Sequence, residues 1–277
     1  MKKSITQGNL SYRFLTENID FKKGTVSVIF NRDDRKDCIE TTLSIPSSIE
    51  HDGIMYTITH IDSEAFYGCK SLMSIIIPES VTSIGWSAFK GCTSLVSIAI
   101  PMGVTSIDDR AFLECSSLIS FNVEQGNKNY VSVDGVLFTK DMTTLVAYPR
   151  GTKDENYTIP QGVSRIGCGA FQGCKEMAGI TIPNSLTSIG DVAFVGCTSL
   201  VSITIPESVT HIGIRAFDGC KKLKDAYFKG TPPIMDDSAF KKNAVFHYAV
   251  FHYIEGTPGW TTPRWKGFET RTWKPEE

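Results

Sequence analysis

Six of the eight cysteines fall at one spacing, which makes them the first candidates for chemistry: Cys69, Cys92, Cys115, Cys174, Cys197 and Cys220. Regularly spaced thiols could form disulfides or hold zinc. The pattern argues against both. A seventh copy of the same position carries Asn243, so the slot accepts a small polar side chain and does not demand a crosslink. Cysteines repeated down one straight ladder also have parallel Cβ vectors, which disfavours disulfide geometry. Such a ladder brings no tetrahedral ligand set together. These six are read as structural thiols, and Cys38 and Cys168 stay unassigned. The five histidines, His51, His60, His211, His247 and His252, show no spacing suited to a metal helix or a nucleophile–base pair. His247 and His252 are five apart in a strand-like stretch and so point to opposite faces. Carboxylates form no recurring pair, and no phosphate-cradling or serine-nucleophile motif occurs. The chain is therefore expected to be non-enzymatic, with no cofactor and no metal.

The elements that hold these residues repeat. Ala-Phe recurs at Ala65-Phe66, Ala88-Phe89, Ala111-Phe112, Ala170-Phe171, Ala193-Phe194, Ala216-Phe217 and Ala239-Phe240. The steps are 23 residues except one of 59, which is two periods and thirteen residues. A fixed period of this size specifies a solenoid, one coil per repeat. The template on residues 92–114 reads C-x-x-L-x-S-I-x-I-P-x-x-V-x-x-I-x-x-x-A-F. Ile98 and Ile100, two apart, predict a short strand with one buried face. Pro101 ends it for want of an N–H. Val104 and Ile107 predict a second extended stretch. Asp108 and Asp109 resemble helix starters, so Ala-Phe is expected on about one helical turn. Phe66, Phe89, Phe112, Phe171, Phe194 and Phe217 should form a buried structural column beside the cysteines. Eight or nine coils at strand spacing would give a stack about 40 Å long.

The motif C-x-x-L-x-x-I-x-I-P followed by I-G-x-x-A-F-x-G-C resembles the leucine-rich repeats of the BspA-like class, common among bacterial surface proteins. The resemblance covers roughly Leu43 to Phe246. Where the wider leucine-rich pattern carries Asn or Cys, this chain has Ser80, Gly103, Gly162, Ser185 and Ser208, a departure typical of the BspA-like class. The expected fold is thus a β-rich (α/β-type) leucine-rich repeat solenoid: ~23-residue turns, short parallel strands, a one-turn helix or 3-10 turn per repeat, β caps and one inserted β meander. Residues 1–42 form the N-terminal β cap, with a turn at Lys22-Lys23-Gly24. The solenoid runs over 43–246 with a β-hairpin insertion at 124–158, and 247–277 is the C-terminal cap. Asp52-Gly53 and Asp134-Gly135 mark hairpin turns.

Solenoids present extended binding surfaces. The outward slots form ladders: Ser74, Ser97, Ser120, Gly179, Ser202; then Ile76, Ala99, Asn122, Thr181, Thr204, Tyr227; then Ser83, Ser106, Arg165, Ser188, His211. Short hydroxyl residues suit tight soluble strands in any case. The larger residues that break the ladders, Trp86, Arg165, His211 and Tyr227, are the candidate binding residues. Trp86 could also stack on a sugar ring, whereas Trp260, Trp265 and Trp273 are read as cap packing. The resemblance implies adhesion: binding of a host or matrix protein by a secreted or surface-attached protein. A carbohydrate-binding surface protein and an intracellular scaffold are the alternatives. A net charge of −2 leaves no basic stripe for nucleic acid. No apolar run is long enough for a membrane span. Lys2 and Lys3 look like the start of an export signal, but Ser4 to Leu10 is too polar for the apolar segment that should follow.

Overall fold

The computed structural model describes residues 4–7, 10–18, 23–30, 40–240 and 249–275. Cys38, Asn243, Phe246, His247, Lys2, Lys3 and Lys22 lie outside the described residues. The chain divides into two compact units, Met1–Lys140 and Asp141–Glu277.

Both units are built from the same coil, with two rows of short parallel strands. In the first unit Ser97–Ile100 pairs in register with Ser120–Val123, placing Ile98 beside Phe121 and Ala99 beside Asn122. The second row sets Ser83–Ile84 against Ser106–Ile107. In the second unit Arg165–Ile166, Ser188–Ile189, His211–Ile212 and Ile234–Met235 pair in one parallel row. Ser202–Ile205, Asp225–Phe228 and Val250–Ile254 pair in the other. Period-two strands bury every inward letter: Leu95, Ile98, Ile100 and Val104 in one coil, Leu200, Ile203, Ile205 and Val209 in another. The first row stops at proline in the template coils, at Pro101 and Pro206, for want of an N–H. Glu124 and Lys229 instead follow Ser120–Val123 and Asp225–Phe228.

The expected helical turn at Ala-Phe is absent, and no helix occurs among the described residues. The reason lies in where the amides go. From Gly169 to Cys174 they alternate strictly. Gly169, Phe171 and Gly173 donate to Asp191, Ala193 and Val195 of the next coil at 2.9, 2.8 and 2.7 Å. Ala170, Gln172 and Cys174 donate three residues back within their own coil. A helix would send every amide to the carbonyl four residues back. Here half of them are used to join coils. The alternation needs left-handed backbone, and φ is +66° at Gly169 and +73° at Gly173. Val192 adopts φ +51° at the slot that Gly169 fills one coil earlier. A β-branched residue there is strained, so the inter-coil bonds impose the conformation.

The phenylalanines stack on this corner. Phe66–Phe89 and Phe89–Phe112 lie 5.3 and 5.5 Å apart in the first unit. In the second, Phe171–Phe194, Phe194–Phe217 and Phe217–Phe240 lie 5.0, 5.1 and 4.5 Å apart, with planes within 18°. Phe112 departs from the expected burial. It is only half-buried, because the sequence that follows it in the first unit supplies no further Ala-Phe corner to cover the ring. It packs edge-on against Phe121 at 5.1 Å instead.

Beside the rings runs the thiol ladder. Cys92, Cys115, Cys197 and Cys220 each donate Sγ–H at 3.1 Å to the carbonyl of Phe66, Phe89, Phe171 and Phe194 in turn. The slot therefore needs a small side chain with a donor, which explains why cysteine recurs there. Burial pushes the Cys174 thiol well above its ordinary pKa, aided by nearby Cys197. A hydrogen bond with Cys197 and burial do the same for Cys220. The serines that replace the usual asparagine work similarly: Ser185 and Ser208 donate to Val163 and Leu186 of the preceding coil at 2.8 and 2.6 Å.

Both Asp-Gly turns form hairpins. Asp52 and Gly53 (φ +51° and +75°) join Ser48–His51 to Ile54–Ile61, and Asp134 and Gly135 (φ +51° and +77°) join Tyr130–Val133 to Val136–Thr139. Two left-handed residues match the twist of paired strands. Buried Asn127 anchors the second hairpin: its Nδ2 donates to Pro101 and Val104 carbonyls, and its Oδ1 accepts from the Asn129 and Tyr130 amides. At the N-terminal end Leu10–Asn18 and Lys23–Phe30 pair antiparallel, and the latter joins Ile54–Ile61 in parallel. Arg13 and Ser27 both bind the Asp62 carboxylate there.

Two outcomes follow. Replacing Phe194 by Ala should cost about 3–5 kcal/mol in a denaturant melt, from lost transfer energy and the cavity left behind; a loss below about 1 kcal/mol, the range of surface changes, contradicts its place in the column. Among the cysteines of the described residues, native protein at pH 8 should expose only Cys168 to a thiol reagent. Burial shields the ladder thiols from the reagent, and at Cys174 and Cys220 a raised pKa also suppresses the reactive thiolate. Denaturation without reductant should release the rest, and recovery of two or fewer thiols would mean disulfides.

Candidate functional site

Every inward letter of the coil is committed to the core, so any site must use the outward slots. In the first row of the first unit these slots lose their charge. Over three coils they read Met73, Ser74, Ile76; Val96, Ser97, Ala99; and Ile119, Ser120, Asn122. Met73, Ile76, Val96 and Ile119 are 49, 65, 38 and 51% exposed. The three coils are joined directly. Val96 N donates to the Met73 carbonyl at 3.2 Å, and Ile119 N to that of Val96 at 2.9 Å. One period apart in space is about 4.8 Å, so these side chains form a continuous apolar row. The fold does not require it: in the second unit the same slot is Ala178, exposed Val201 and then Lys224, so a charge is tolerated there. Apart from Ile76, which heads one of the ladders, sequence reasoning missed this row. Its signal was an apolar letter just after the template leucine, outside the inward pattern.

The second unit carries a different face at the end of the same kind of row. Ser202 and Thr204 stand in register with Asp225 and Tyr227, which stand in register with Val250 and His252. His252 Nε2 donates to Asp225 Oδ1 at 2.7 Å. The Tyr227 ring lies over the His252 ring at 4.5 Å, planes 21° apart, and Trp273 leans on it at 5.0 Å and 57°. Burial and then the Asp225 carboxylate raise the Tyr227 phenol pKa, which keeps its hydroxyl a donor. Of the three cap tryptophans, Trp260 is buried and donates Nε1–H to the Gly230 carbonyl at 3.0 Å. Trp265 packs against it at 5.0 Å. Trp273 lies half-buried against Tyr227 and not in the interior with Trp260. Local pattern could not reveal the His252–Asp225 pair, since its members are 27 residues apart and joined only by strand register.

The four residues singled out from the sequence are dispersed. Trp86 is exposed in the first unit, just beyond Ser83–Ile84, and its carbonyl accepts the Glu64 amide. Arg165 and His211 share the second row of the second unit, separated by Ser188, and both face solvent. The His211 Nδ1 lies 2.8 Å from Thr210 Oγ1. Tyr227 belongs to the other row. Many outward hydroxyls already serve the backbone: Thr82, Thr105 and Thr187 donate to Thr59, Thr82 and Ser164 carbonyls at 3.1, 3.1 and 2.9 Å. Their repetition is thus explained by the fold. Among the described residues no three His, Cys, Asp or Glu side chains converge as metal ligands, and no helix is long and apolar enough to cross a membrane.

Comparison with solved structures finds the same fold in a leucine-rich repeat protein from Eubacterium ventriosum. It is 22% identical, with 90% of this chain and 76% of that one covered, at a TM-score of 0.55. The pneumococcal vaccine antigen PcpA also matches, at 21% identity over 91% of this chain and 94% of that one, with a TM-score of 0.49. A leucine-rich cell surface protein from Faecalibacterium prausnitzii matches at 22% identity over 93% and 96%, with a TM-score of 0.44. No curated protein sequence matches this chain. The model of the BspA type leucine-rich repeat region matches residues 40–140 and 147–252 in six copies. With the 23-residue coil, the Ala-Phe corner and the cysteine ladder all in place over that span, the chain belongs to the BspA-type leucine-rich repeat family.

Proposed function

We propose that the protein is a non-enzymatic protein-binding module, secreted or displayed on a bacterial surface, whose principal contact is the uncharged apolar row of the first unit. The observation that carries the reading is Met73, Val96 and Ile119 in line, with Ile76 beside them, on a face of nine outward slots without one formal charge. Charge depletion with exposed aliphatic side chains marks the centre of protein interfaces, and monomeric surfaces rarely keep such patches without a partner. A rigid strand row also costs little entropy to dock. Adhesion to a host matrix protein and a surface location rest on the family alone. Trp86, Arg165, His211 and Tyr227 remain proposed contacts, since small or unrelated residues hold their slots elsewhere.

The test replaces Met73, Val96 and Ile119 by Lys, the residue of slot 224, and Ile76 by Thr, the residue of slots 181 and 204. Binding to a panel of purified extracellular-matrix proteins is measured by surface plasmon resonance, with circular dichroism as the control for folding. Each buried anchor in an interface contributes about 1 kcal/mol or more. The quadruple variant should therefore lose at least about a hundredfold in affinity. Arg165→Ser with His211→Ser should change it far less. If the quadruple variant binds as the parent does, the apolar row is not the contact.

A further inference from the structure

We infer that the Asp225–Tyr227–His252–Trp273 face of the second unit is a binding site for a neutral pyranose ring of a glycan. The inference stands apart from the protein-binding reading, because it rests on other residues in the other unit.

Both outward slots change together at this coil. Slot 225 is Ser74, Ser97, Ser120, Gly179 or Ser202 elsewhere, and slot 227 is Ile76, Ala99, Asn122, Thr181 or Thr204. Only here do they become a carboxylate and an aromatic ring, and the next strand supplies His252 in register to pair with the first and stack on the second. The core needs neither change, since both side chains stand outside it.

The geometry suits a sugar. Tyr227 stacks on His252 at 4.5 Å, close to the spacing between strands. Its ring normal therefore runs from strand to strand, and its second face looks back over Thr204. Thr204 and Ser202 are short and exposed, so the ring forms a wall at the end of a low shelf. Trp273, tilted 57° against Tyr227, fixes the wall in place. A pyranose presents a C–H face that packs on an aromatic ring and a rim of hydroxyls that need acceptors and donors in its plane. Beside the wall, Asp225 is oriented by His252 and is about a third exposed. A carboxylate accepts at up to about four lone-pair positions, so one bond from His252 leaves capacity for sugar hydroxyls. The Ser202 and Thr204 hydroxyls lie on the shelf itself. Arg271, in register with His252 and held by Glu269 at 2.6 Å, flanks the site with donors. Such a ring would be the end of a polysaccharide or of a glycoprotein's glycan.

Saturation-transfer NMR tests this with methyl β-D-glucopyranoside, methyl β-D-galactopyranoside, methyl α-D-mannopyranoside and N-acetyl-D-glucosamine at millimolar concentration. At least one should receive saturation, strongest at its ring C–H protons. Tyr227→Thr and Asp225→Ser, each restoring a residue of the ladder, should lower the transfer at least tenfold. These contacts could instead serve only to hold the last strands in place, so a second variant separates the roles. Thr204→Tyr leaves the wall and its pairings intact but fills the shelf with another ring. It should keep the parent melting temperature and lose sugar binding. For the source, a glycoprotein compared before and after enzymatic deglycosylation, alongside free oligosaccharides of the preferred sugar, tells which carries the ring. Absence of transfer to all four glycosides, or equal transfer in the parent, Tyr227→Thr and Thr204→Tyr, overturns the site.

Discussion

The amides of the Ala-Phe corner alternate between two partners, and each unit depends on that alternation. One amide closes a turn within its own coil; the next reaches the coil that follows. Three inter-coil bonds at the corners of Phe66, Phe171 and Phe194, at about 1 kcal/mol net apiece, are a modest sum. Their main effect is geometric. They hold successive coils in register, and that register brings phenylalanine over phenylalanine and thiol to carbonyl. A lone coil has neither partner for those amides nor cover for its ring, so the repeat has meaning only in a stack. The strained φ of Val192 shows which side prevails when local preference and stacking conflict.

This constraint also sorts the residues by role. Inward letters, the corner glycines and the cysteines are tied to a neighbour one period away. The outward slots are tied in this way only where a hydroxyl such as that of Thr82, Thr105 or Thr187 bonds the preceding coil's backbone. Function can therefore be sought where outward slots depart from the small polar residues that the fold tolerates everywhere. The two units depart in different directions. One carries exposed aliphatic side chains over three coils; the other gains a carboxylate, an imidazole and two large rings at its last coils. Repeat proteins change their ligands in this way without altering the coil, because each substitution touches only its own coil and its neighbours.

Much of the fold was legible in the sequence because its determinants are local or periodic. Ile98 and Ile100 marked a strand, Pro101 its end, and the two Asp-Gly pairs their hairpins, all within a few residues. The helical turn at Ala-Phe was misread for the opposite reason. Asp108 and Asp109 followed by Arg110-Ala111-Phe112 suit a helix start, and nothing local reveals that every second amide of such a corner is claimed by another coil. Phe112 was expected to be covered because the period was extended past a break where the next Ala-Phe is missing. The sites were less legible still. Tyr227 stood out as a ladder breaker, but His252 and Trp273 join it only through strand register. Met73, Val96 and Ile119 were passed over because an apolar letter in a repeat is easily assigned to the core.

The alternation itself can be measured by amide hydrogen exchange in native protein, resolved by residue. The amides of Phe171, Phe194 and Phe217, which donate to the next coil, should exchange only through global unfolding. Their rates should then fall with the stability of the whole protein as denaturant is added. Those in the exposed turn at Asp134-Gly135 should exchange orders of magnitude faster. If the three phenylalanine amides instead exchange through local fluctuations, as fast as that turn and with no denaturant dependence, the corner does not hold the coils together and the account fails.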